Sequence, residues 1–555
     1  MEFVEDIPTP NLDNVTMHGP FGKKQEGTLC ITGHHILFSS RTEHHEELWM
    51  LTTNVDTVER KLNGLTGGSV ILKCKDFRII QLDISPLEAF NNVATSIETL
   101  SSFEDQTKFY PFFFRPNYTV LEDGWTVFRP ELEFNKLLQG DEWRLTYVNS
   151  DFQVCPTYPR AVIVPKSVDD DMIVAAAKFR EGGRFPVLSY RHEKGSVLMR
   201  SSQPLTGPSS KRCREDEQLL KAVIGASNRG YIIDTRSSAV AQAAKSRGGG
   251  FEVEIHYPMW RRVHKPIERF TAMLDSLSRL VEACNDTSLS MDRWLSRLES
   301  SNWLSHVKDT LNCSCLVAQC LDKESASVLV HGSEGLDATL LVTSLTQIIL
   351  NPDCRTVRGL QALVEREWIQ AGHPFPRRHS HSVYSPSRSK QHSPTFLLFL
   401  DCITQIMTQF PCSFEFSSSL LILLFEHSYR SQFGTFLGNC EEERDRLMLS
   451  KKTASLWSYL NRPEILQDYL NPLYEPNNRV IWPTVAPVSL NLWEELYLRW
   501  VVDLSARREA WRCVTQLRDR DKEMRQRAAR LRRQLQELER EAVQAGLLAS
   551  TTAVR

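Results

Sequence analysis

The stretch VLVHGSEGLDATLL, from Val328 to Leu341, runs from a β-branched segment through a short loop into the start of a helix. The backbone N–H groups of such a loop, together with the positive end of the helix, can bind a phosphate group. Chemistry on that phosphate also requires a nucleophile and a cation that stabilises the transition state. The loop has Gly332 and Ala338 at the two positions where a nucleophile and a cation would be expected, and neither residue has a reactive side chain.

Cysteine phosphatases place their nucleophilic Cys at the end of a strand and a phosphate-binding Arg six residues later. The thiolate attacks phosphorus, and the guanidinium holds two phosphate oxygens. Here His331 ends the strand, Gly332 occupies the cysteine position and Ala338 occupies the arginine position. Spacing alone leaves a phosphate site, a degenerate enzyme and an ordinary turn open. We predict that His331 is a buried, hydrogen-bonded support of the loop rather than a ligand or a base.

Length and composition are typical of a multidomain globular protein. The 555 residues carry a net charge of −2, with 41% hydrophobic and 24% charged side chains. Such a charge gives no overall attraction to nucleic acid, and we expect no nucleic-acid partner. The acidic first residues and the short apolar runs predict an intracellular protein with mostly reduced cysteines. No paired Cys-x-x-Cys motif occurs, and Cys313 and Cys315 alone predict no zinc site, so we expect neither metal nor cofactor.

Hydrophobic periodicity divides the chain into parts. Residues 1–105 alternate with period two and end in a helical stretch, which predicts a small β-barrel of the pleckstrin-homology type closed by a helix. Residues 120–500 alternate between strands and helices, which predicts an α/β sheet domain. Its strand candidates are RFPVLSY, SVLMRSS, GYIIDTR and ASVLVHG, and its helix candidates include CREDEQLLKAVIGAS and IERFTAMLDSLSRLVEACN.

Two polar stretches interrupt this alternation. The sequence PFPRRHSHSVYSPSRSKQHSP, from Pro374 to Pro394, is rich in Ser, Arg, His and Pro and predicts a mobile insert at 376–394. Ser385 and Ser393 each precede a proline and could be phosphorylated, although the composition favours a solvated loop. The basic stretch WRRVHK (260–265) could face a membrane, another subunit or solvent.

The C-terminal residues 507–545 predict a coiled coil. From Cys513 to Ala545 the chain lacks Pro and Gly, and apolar residues recur at spacings of three and four over more than four heptads. The a positions are Val514, Asp521, Ala528, Leu535 and Ala542, and the d positions are Leu517, Met524, Leu531, Leu538 and Ala545.

Arginines flank this apolar seam. The e positions include Arg518, Arg525 and Arg532, and the g positions include Arg520 and Arg527. A parallel homodimer would place Arg520 against Arg525 and Arg527 against Arg532 of its mate, and like charges at such contacts are unfavourable. An antiparallel self-pair would bring acidic residues from the far end against the arginines. A different helix with acidic flanks would do the same and is the reading we favour over a single solvated helix.

These features resemble the myotubularin family of phosphoinositide 3-phosphatases. Active members carry His-Cys-Ser-Asp-Gly-Trp-Asp-Arg-Thr at the loop, where this sequence has HGSEGLDAT. The matching positions are His331, Ser333, Gly335, Asp337 and Thr339, and the departures are Gly332, Glu334, Leu336 and Ala338. Further similar stretches are GGRFPVLSY, MRSSQPLTG, YIIDTRS, GGGFE, CRTVRGLQALVEREWIQAGHPF and FGTFLGN.

The resemblance implies a multidomain α+β protein: a PH-GRAM domain, then a cysteine-phosphatase-like domain, then a coiled coil. With both catalytic side chains absent, it implies a pseudophosphatase without turnover. It further implies pairing with active myotubularins through the coiled coil, regulation of their activity, stability or localisation, and a cytoplasmic place at the periphery of endomembranes. Two alternatives remain: a membrane adaptor that recognises phosphoinositides without a phosphatase partner, and an enzyme with relocated catalytic residues. Weak phosphoinositide binding by the loop also stays open, although a structural relic is the favoured reading.

Overall fold

The computed structural model describes residues 3, 5–40, 47–64, 66–224, 229–386, 389 and 391–547, with the backbone alone at position 508. The chain divides into two compact units, residues 1–501 and residues 502–555. Among the helices of the described ranges, none combines the length and the apolar character needed to cross a membrane.

The N-terminal part of the first unit is an antiparallel sheet of seven strands packed against one helix. Its order is β4-β3-β2-β1-β7-β6-β5. Inward-facing apolar residues alternate along the strands and pack against the apolar face of the helix, as the period-two pattern requires. The elements are β1 (Asn11–His18), β2 (Lys24–Ile31), β3 (His35–Ser40), β4 (Leu48–Leu51), β5 (Val55–Leu62), β6 (Gly68–Cys74), β7 (Ile79–Ile84) and α1 (Leu87–Ser101).

The rest of the first unit is built around a five-stranded sheet of order β10-β11-β14-β12-β13. Strands β11, β14, β12 and β13 are parallel, and β10 is antiparallel to β11. Strands β8 and β9 form a separate antiparallel pair. These elements are α2 (Pro130–Glu133), α3 (Asn135–Leu138), β8 (Trp143–Thr146), β9 (Val162–Pro165), α4 (Asp170–Lys178), β10 (Val187–Arg191), β11 (Val197–Ser201), α5 (Arg214–Ile224), β12 (Gly230–Asp234), α6 (Ser238–Ser246), β13 (Trp260–His264), α7 (Phe270–Asn285), α8 (Met291–Ser301), α9 (Trp303–Asp322), β14 (Ser327–His331) and α10 (Ala338–Leu350).

A mainly helical region completes this unit and covers one side of the sheet. Its elements are α11 (Val357–Val364), a π-helical turn (Glu365–Ile369), α12 (Phe375–Arg378), α13 (Thr395–Gln409), α14 (Ser418–Tyr429), α15 (Glu441–Arg446), α16 (Leu449–Lys452), α17 (Leu456–Leu460), α18 (Pro463–Leu466) and α19 (Glu494–Tyr497). Every residue of α10 is buried, and so is every residue of β14. The strand and the helix on either side of the predicted loop therefore form the centre of the domain.

The four predicted strands of the α/β domain are confirmed as β10, β11, β12 and β14, because each is a short apolar run bounded by turn residues. The two predicted helices are confirmed as α5 and α7, and positions 225–227 at the end of the first lie outside the described residues. The stretch WRRVHK is a fifth strand, β13, at the edge of the sheet. Trp260 is buried there and only Arg261 is fully exposed, so this stretch is not the free basic patch that its charges suggested.

The prediction of a solvated, mobile insert at 376–394 is wrong, because much of this polar segment is buried. His379 and Ser382 are fully buried, and Ser385 and Ser393 keep only 3% and 2% of their surface exposed. Neither serine is therefore an accessible phosphorylation site in this fold. The compositional rule assumes that polar side chains need water, whereas here partners elsewhere in the protein supply the hydrogen bonds. Positions 387, 388 and 390 lie outside the described residues.

Asp56, on β5 of the N-terminal sheet, is the main polar partner of this segment. Its carboxylate oxygens both lie 3.1 Å from the N–H of Ser382, and Oδ2 also accepts from the N–H of Ser385 at 3.1 Å. His381 Nδ1 lies 3.3 Å from Oδ1, and the Asp56 side chain is fully buried. Burial raises the pKa of Asp56, but His381 and Lys75 outweigh this effect and hold the pKa below its ordinary value. The segment is thus held to the sheet by a buried carboxylate.

Replacing Asp56 by Asn is expected to loosen this contact. Hydrogen bonds to a charged acceptor contribute about 1.5–3 kcal/mol, so amide hydrogen exchange at Ser382 and Ser385 should accelerate by about tenfold or more. The matched control is Asp13→Asn, the same change at an exposed position of β1. Unchanged exchange in the Asp56 variant would contradict the assignment.

Because the pKa of Asp56 is lower in the folded protein than in the unfolded chain, its contribution to stability is complete above the unfolded-state pKa of ~3.9 and disappears as the pH falls further.

Candidate functional site

The loop His331–Thr339 leaves the carboxyl end of the central strand β14 and enters α10. Strands β11 and β12 flank β14 in parallel, so the loop lies where ligands bind in open parallel sheets. Helix α10 has 13 residues and begins at Ala338, so its unpaired N–H groups and positive end point toward the loop. The predicted strand–loop–helix arrangement is confirmed.

Gly335 lets the loop pack tightly against the end of β11. Its φ of +73° is in the left-handed region, and a Cβ atom there would lie 2.5 Å from the carbonyl oxygen of Ser201. Arg184 donates from Nη2 to the Gly335 carbonyl at 2.9 Å, and the Gln203 N–H donates to the Ser333 carbonyl at 3.0 Å. The path of the loop is therefore fixed by hydrogen bonds to its backbone carbonyl groups, from the Arg184 side chain and the Gln203 N–H.

His331 is the buried support that the sequence predicts. Its Nε2 lies 2.9 Å from Glu252 Oε2, and its Nδ1 lies 3.2 Å from the Gly332 carbonyl. The ring is thus held between a carboxylate and a backbone carbonyl. Burial raises the pKa of Glu252, but the charges of His331 and Arg180 outweigh this effect and hold the pKa below its ordinary value.

A chain of buried charges continues from Glu252. Arg180 donates to Glu252 Oε1 at 2.7 Å and to both oxygens of Asp216 at 2.8 and 2.7 Å. Tyr257 donates its hydroxyl to Asp216 at 2.8 Å. The side chains of Arg180, Asp216 and Glu252 are at most 1% exposed. Sequence reasoning missed this network, although GGGFE, one of the stretches that carried the family resemblance, contains Glu252.

Asp337, the last residue before α10, is neutralised by a side chain from segment 376–394. Arg378 contacts its two carboxylate oxygens at 2.9 and 2.8 Å. Burial raises the pKa of Asp337, but Arg378 and His373 outweigh this effect and lower it. Burial lowers the pKa of His373 to about 4, and its Nδ1 lies 2.7 Å from the Leu336 carbonyl, which identifies Nδ1 as the protonated nitrogen. Arg378 and His373 were also missed, because they lie far from the loop in sequence.

Gly332 and Ala338, the two departures from the family's loop that bear most on catalysis, lie within this network of hydrogen bonds. A Cβ atom built on Gly332 would lie 2.8 Å from Thr235 Oγ1 and 3.7 Å from Thr339 Oγ1. Thr339 is 1% exposed, and within the described part of the chain its hydroxyl has no hydrogen-bond partner. Ala338 is 5% exposed, and its methyl group can neither bind nor neutralise an anion. The hydroxyl of Thr339 therefore faces the place where a longer side chain at position 332 would lie.

Two arginines near the loop are paired with buried carboxylates. Arg378 is paired with Asp337, and Arg236 forms two contacts of 2.8 Å with Asp234, the residue opposite His331 on β12. Glu334, the remaining acid of the loop, is exposed, with Oε2 3.7 Å from Arg378 Nη2. The loop HGSEGLDAT thus offers N–H groups and a helix end to an anion, but it contains neither a thiol nor a guanidinium of its own.

The second predicted site lies on α20 (Ser505–Gln544), the helix of the second unit. Leu517, Leu531 and Leu538 of the heptad seam expose 66%, 55% and 61% of their surface. Asp521 Oδ2 lies 2.8 Å from Arg525 Nε, one turn along the helix. The long helix is confirmed, whereas its pairing as a coiled coil stays a prediction.

Comparisons with known proteins identify the family. The sequence profile of the myotubularin-like phosphatase domain matches residues 109–445, and that of the GRAM domain of myotubularin-related proteins 6 to 9 matches residues 11–101. Myotubularin-related protein 9 of Bos taurus is 57% identical over 98% of this chain and 99% of its own length. The Homo sapiens protein of that name is 56% identical with the same coverage.

A relative named for its activity is more distant. Human phosphatidylinositol-3,5-bisphosphate 3-phosphatase MTMR6 is 34% identical over 94% of this chain and 85% of its own length. The order of domains inferred from the resemblance is confirmed: a GRAM domain of strands, then a phosphatase domain, then a C-terminal helix. The chain therefore belongs to the myotubularin family, in the subgroup of myotubularin-related proteins 6 to 9.

Proposed function

We propose that this chain is a catalytically inactive phosphatase that binds active myotubularin phosphoinositide 3-phosphatases and regulates their activity, stability or localisation. The observation that carries the proposal is the pair Gly332 and Ala338 within a loop that keeps His331, Ser333, Gly335, Asp337 and Thr339 of the family's motif. Covalent catalysis requires a nucleophile, and the absence of one cannot be offset by binding groups alone. Groups that act as one catalytic unit fail together, so the loss of the arginine adds little to the loss of the thiol.

The surroundings of the loop support this reading against an enzyme with relocated groups. HGSEGLDAT contains no Cys, Lys or Arg. Cys313 and Cys320, in the helix that precedes β14, are buried, and burial raises the pKa of each thiol to about 12, so neither supplies a thiolate near neutral pH. Arg378 could grip a phosphate only by leaving the buried carboxylate of Asp337.

Partnering is supported by the exposed heptad seam of α20 and its arginine flanks. A row of apolar residues along a solvated helix is stabilised when a second helix covers it. The subgroup also contains relatives named as phosphatases, including MTMR6 and human phosphatidylinositol-3-phosphate phosphatase MTMR7, which is 37% identical over 86% of this chain. These relatives are the partners to test first.

The purified chain is expected to release no phosphate from phosphatidylinositol 3-phosphate or from the 3,5-bisphosphate, because the loop lacks a nucleophile. The measurement is phosphate release from mixed vesicles, with MTMR6 as the positive control. Release above the buffer blank that persists through repurification would contradict the proposal, and it would revive the reading of an enzyme with relocated residues.

The backbone N–H groups of the loop and the positive end of α10 predict the pKa of a thiol introduced at position 332. In Gly332→Cys the new side chain would lie beside the Thr339 hydroxyl at the positive end of α10, after a rotation of the Thr235 side chain. Its thiol pKa should therefore fall below the ordinary ~8.5. The pH dependence of alkylation at position 332, followed by mass spectrometry, measures this shift.

The exposed Cys513 in the same sample shows that the alkylating reagent is active. Gly332→Ala, which adds only the Cβ atom, is the control for correct folding. A thiol at position 332 whose pKa stays at or above ~8.5 would show that the loop does not favour an anion. Gly332→Cys should still release no phosphate, since Ala338 leaves the transition state without its cation.

Deleting residues 513–545 is expected to abolish both co-purification with a phosphatase partner and any effect on its activity. The deletion also tests the adaptor hypothesis, because an adaptor that uses its GRAM domain would still reach phosphoinositide vesicles and keep its effect. The assay combines pull-down, sizing and 3-phosphatase activity with and without this chain.

A pair of charge variants shows whether the seam itself is responsible. Changing Arg520, Arg525 and Arg527 to Glu should weaken the heteromer by about tenfold or more, because flanking attractions become repulsions. The control reverses an equal charge away from the seam at Arg530, Arg533 and Arg540. Equal weakening by both variants would indicate a general effect of charge rather than helix pairing.

A further inference from the structure

Asp521 is the one charged residue at the a and d positions of the seam. It follows Leu517 and precedes Met524, at spacings of four and three, so it lies in line with the apolar residues. In the single helix its side chain is 56% exposed, and its partner Arg525 is 81% exposed. Both groups keep most of their hydration as long as nothing covers the seam.

A second helix would change the surroundings of Asp521. Pairing covers the a and d positions and removes water from them. A carboxylate that loses its water requires a cation or several hydrogen-bond donors in its place. Arg525 occupies a flanking e position, so it shields one side of the carboxylate and leaves the side that faces the second helix open.

We propose that the helix that pairs with α20 presents a lysine, arginine or asparagine side chain in the layer of Asp521, and acidic residues opposite the flanking arginines. This inference rests on the proposed function, since it describes the partner helix of the same coiled coil. It identifies Asp521 as the residue that selects the partner, whereas the leucines supply most of the stabilisation.

A parallel second copy of this chain does not meet the requirement. In the parallel register Asp521 faces Asp521 of the other copy. Arg520 then faces Arg525, and Arg527 faces Arg532, on both sides of the pair. These three contacts near the middle of such a dimer are repulsions between like charges.

An antiparallel second copy fails at the same residue. The register that overlaps the full seam places Asp521 opposite Leu538, since Val514 then faces Ala545. The charge contacts at the e and g positions become more favourable, because Arg518 and Arg520 approach Glu539 and Glu541. Asp521 nevertheless lies in an apolar layer, twice in each dimer, where a buried charge without a partner is strongly unfavourable.

A lipid surface is the less suitable occupant. Helices that lie in a membrane interface carry a broad apolar face, whereas this seam is a narrow a and d strip interrupted by a carboxylate. Asp519 and Glu523 add negative charge on the outer face of the helix. The features of α20 therefore fit a complementary helix.

Synthetic helices test the inference on the full-length chain. Three peptides carry the sequence of residues 513–545 with glutamate at every flanking arginine position, and they differ only in the seam. One has leucine in both layers that can face Asp521, the second has lysine in the layer that faces it in a parallel pair, and the third has lysine in the layer that faces it in an antiparallel pair. Titration calorimetry gives the three affinities.

The chain is expected to bind one of the lysine peptides about tenfold or more tightly than the leucine peptide, since a close charge pair then replaces a stranded carboxylate. In Asp521→Leu the preference should reverse, and sedimentation should show increased self-association. Asp519→Leu, the same change on the outer face, should keep the preference of the unmodified chain.

Equal affinity for the three peptides, binding of none of them, or a preference that survives Asp521→Leu would overturn the inference. These outcomes are separate from the test of the proposed function, because no phosphatase is present in the peptide experiment. If the chain fails to co-purify with a myotubularin phosphatase but selects a lysine peptide, the proposed function fails and the requirement of the helix stands.

Discussion

The buried, hydrogen-bonded cluster of Arg180, Asp216, Glu252 and His331 fixes the position of the loop within the phosphatase domain. Asp216 lies on α5, Arg180 follows α4, Glu252 precedes β13, and His331 ends β14. Breaking a buried pair typically costs about 3–5 kcal/mol, because one charge remains without water and without a partner. Each of these elements is therefore constrained by the others, and the loop is held by the whole domain rather than by its own residues.

This arrangement explains how the loop keeps its shape without catalytic side chains. His331, Gly335 and Asp337 each have a structural task, in the buried cluster, in the contact with β11 and in the pair with Arg378. Gly332 and Ala338 have none that depends on a reactive group. The contacts that hold the loop thus belong to residues other than those at positions 332 and 338, so these two positions can vary while the shape of the loop is kept.

Much of the fold could be predicted from local pattern. The strands of the central sheet are short apolar runs between turn residues, and the loop is recognisable from its spacing and its glycines. Segment 376–394 could not be predicted in this way, since its burial depends on Asp56 and Asp337, which are remote in sequence. The same limit applies to β13, because its arginines suggested a charged surface although Trp260 is buried. It applies also to Arg180, because its two carboxylate partners come from separate elements.

The contact between Asp56 and segment 376–394 has a consequence for the modularity of the protein. Arg378 of this segment holds the loop, and a few residues later Ser382 and Ser385 hold the GRAM domain. A chimera that exchanges only the N-terminal domain with that of a relative would separate the carboxylate from the amides that it binds. The smallest exchangeable piece of this protein is therefore discontinuous in sequence. It comprises the N-terminal domain together with segment 376–394 of the phosphatase domain.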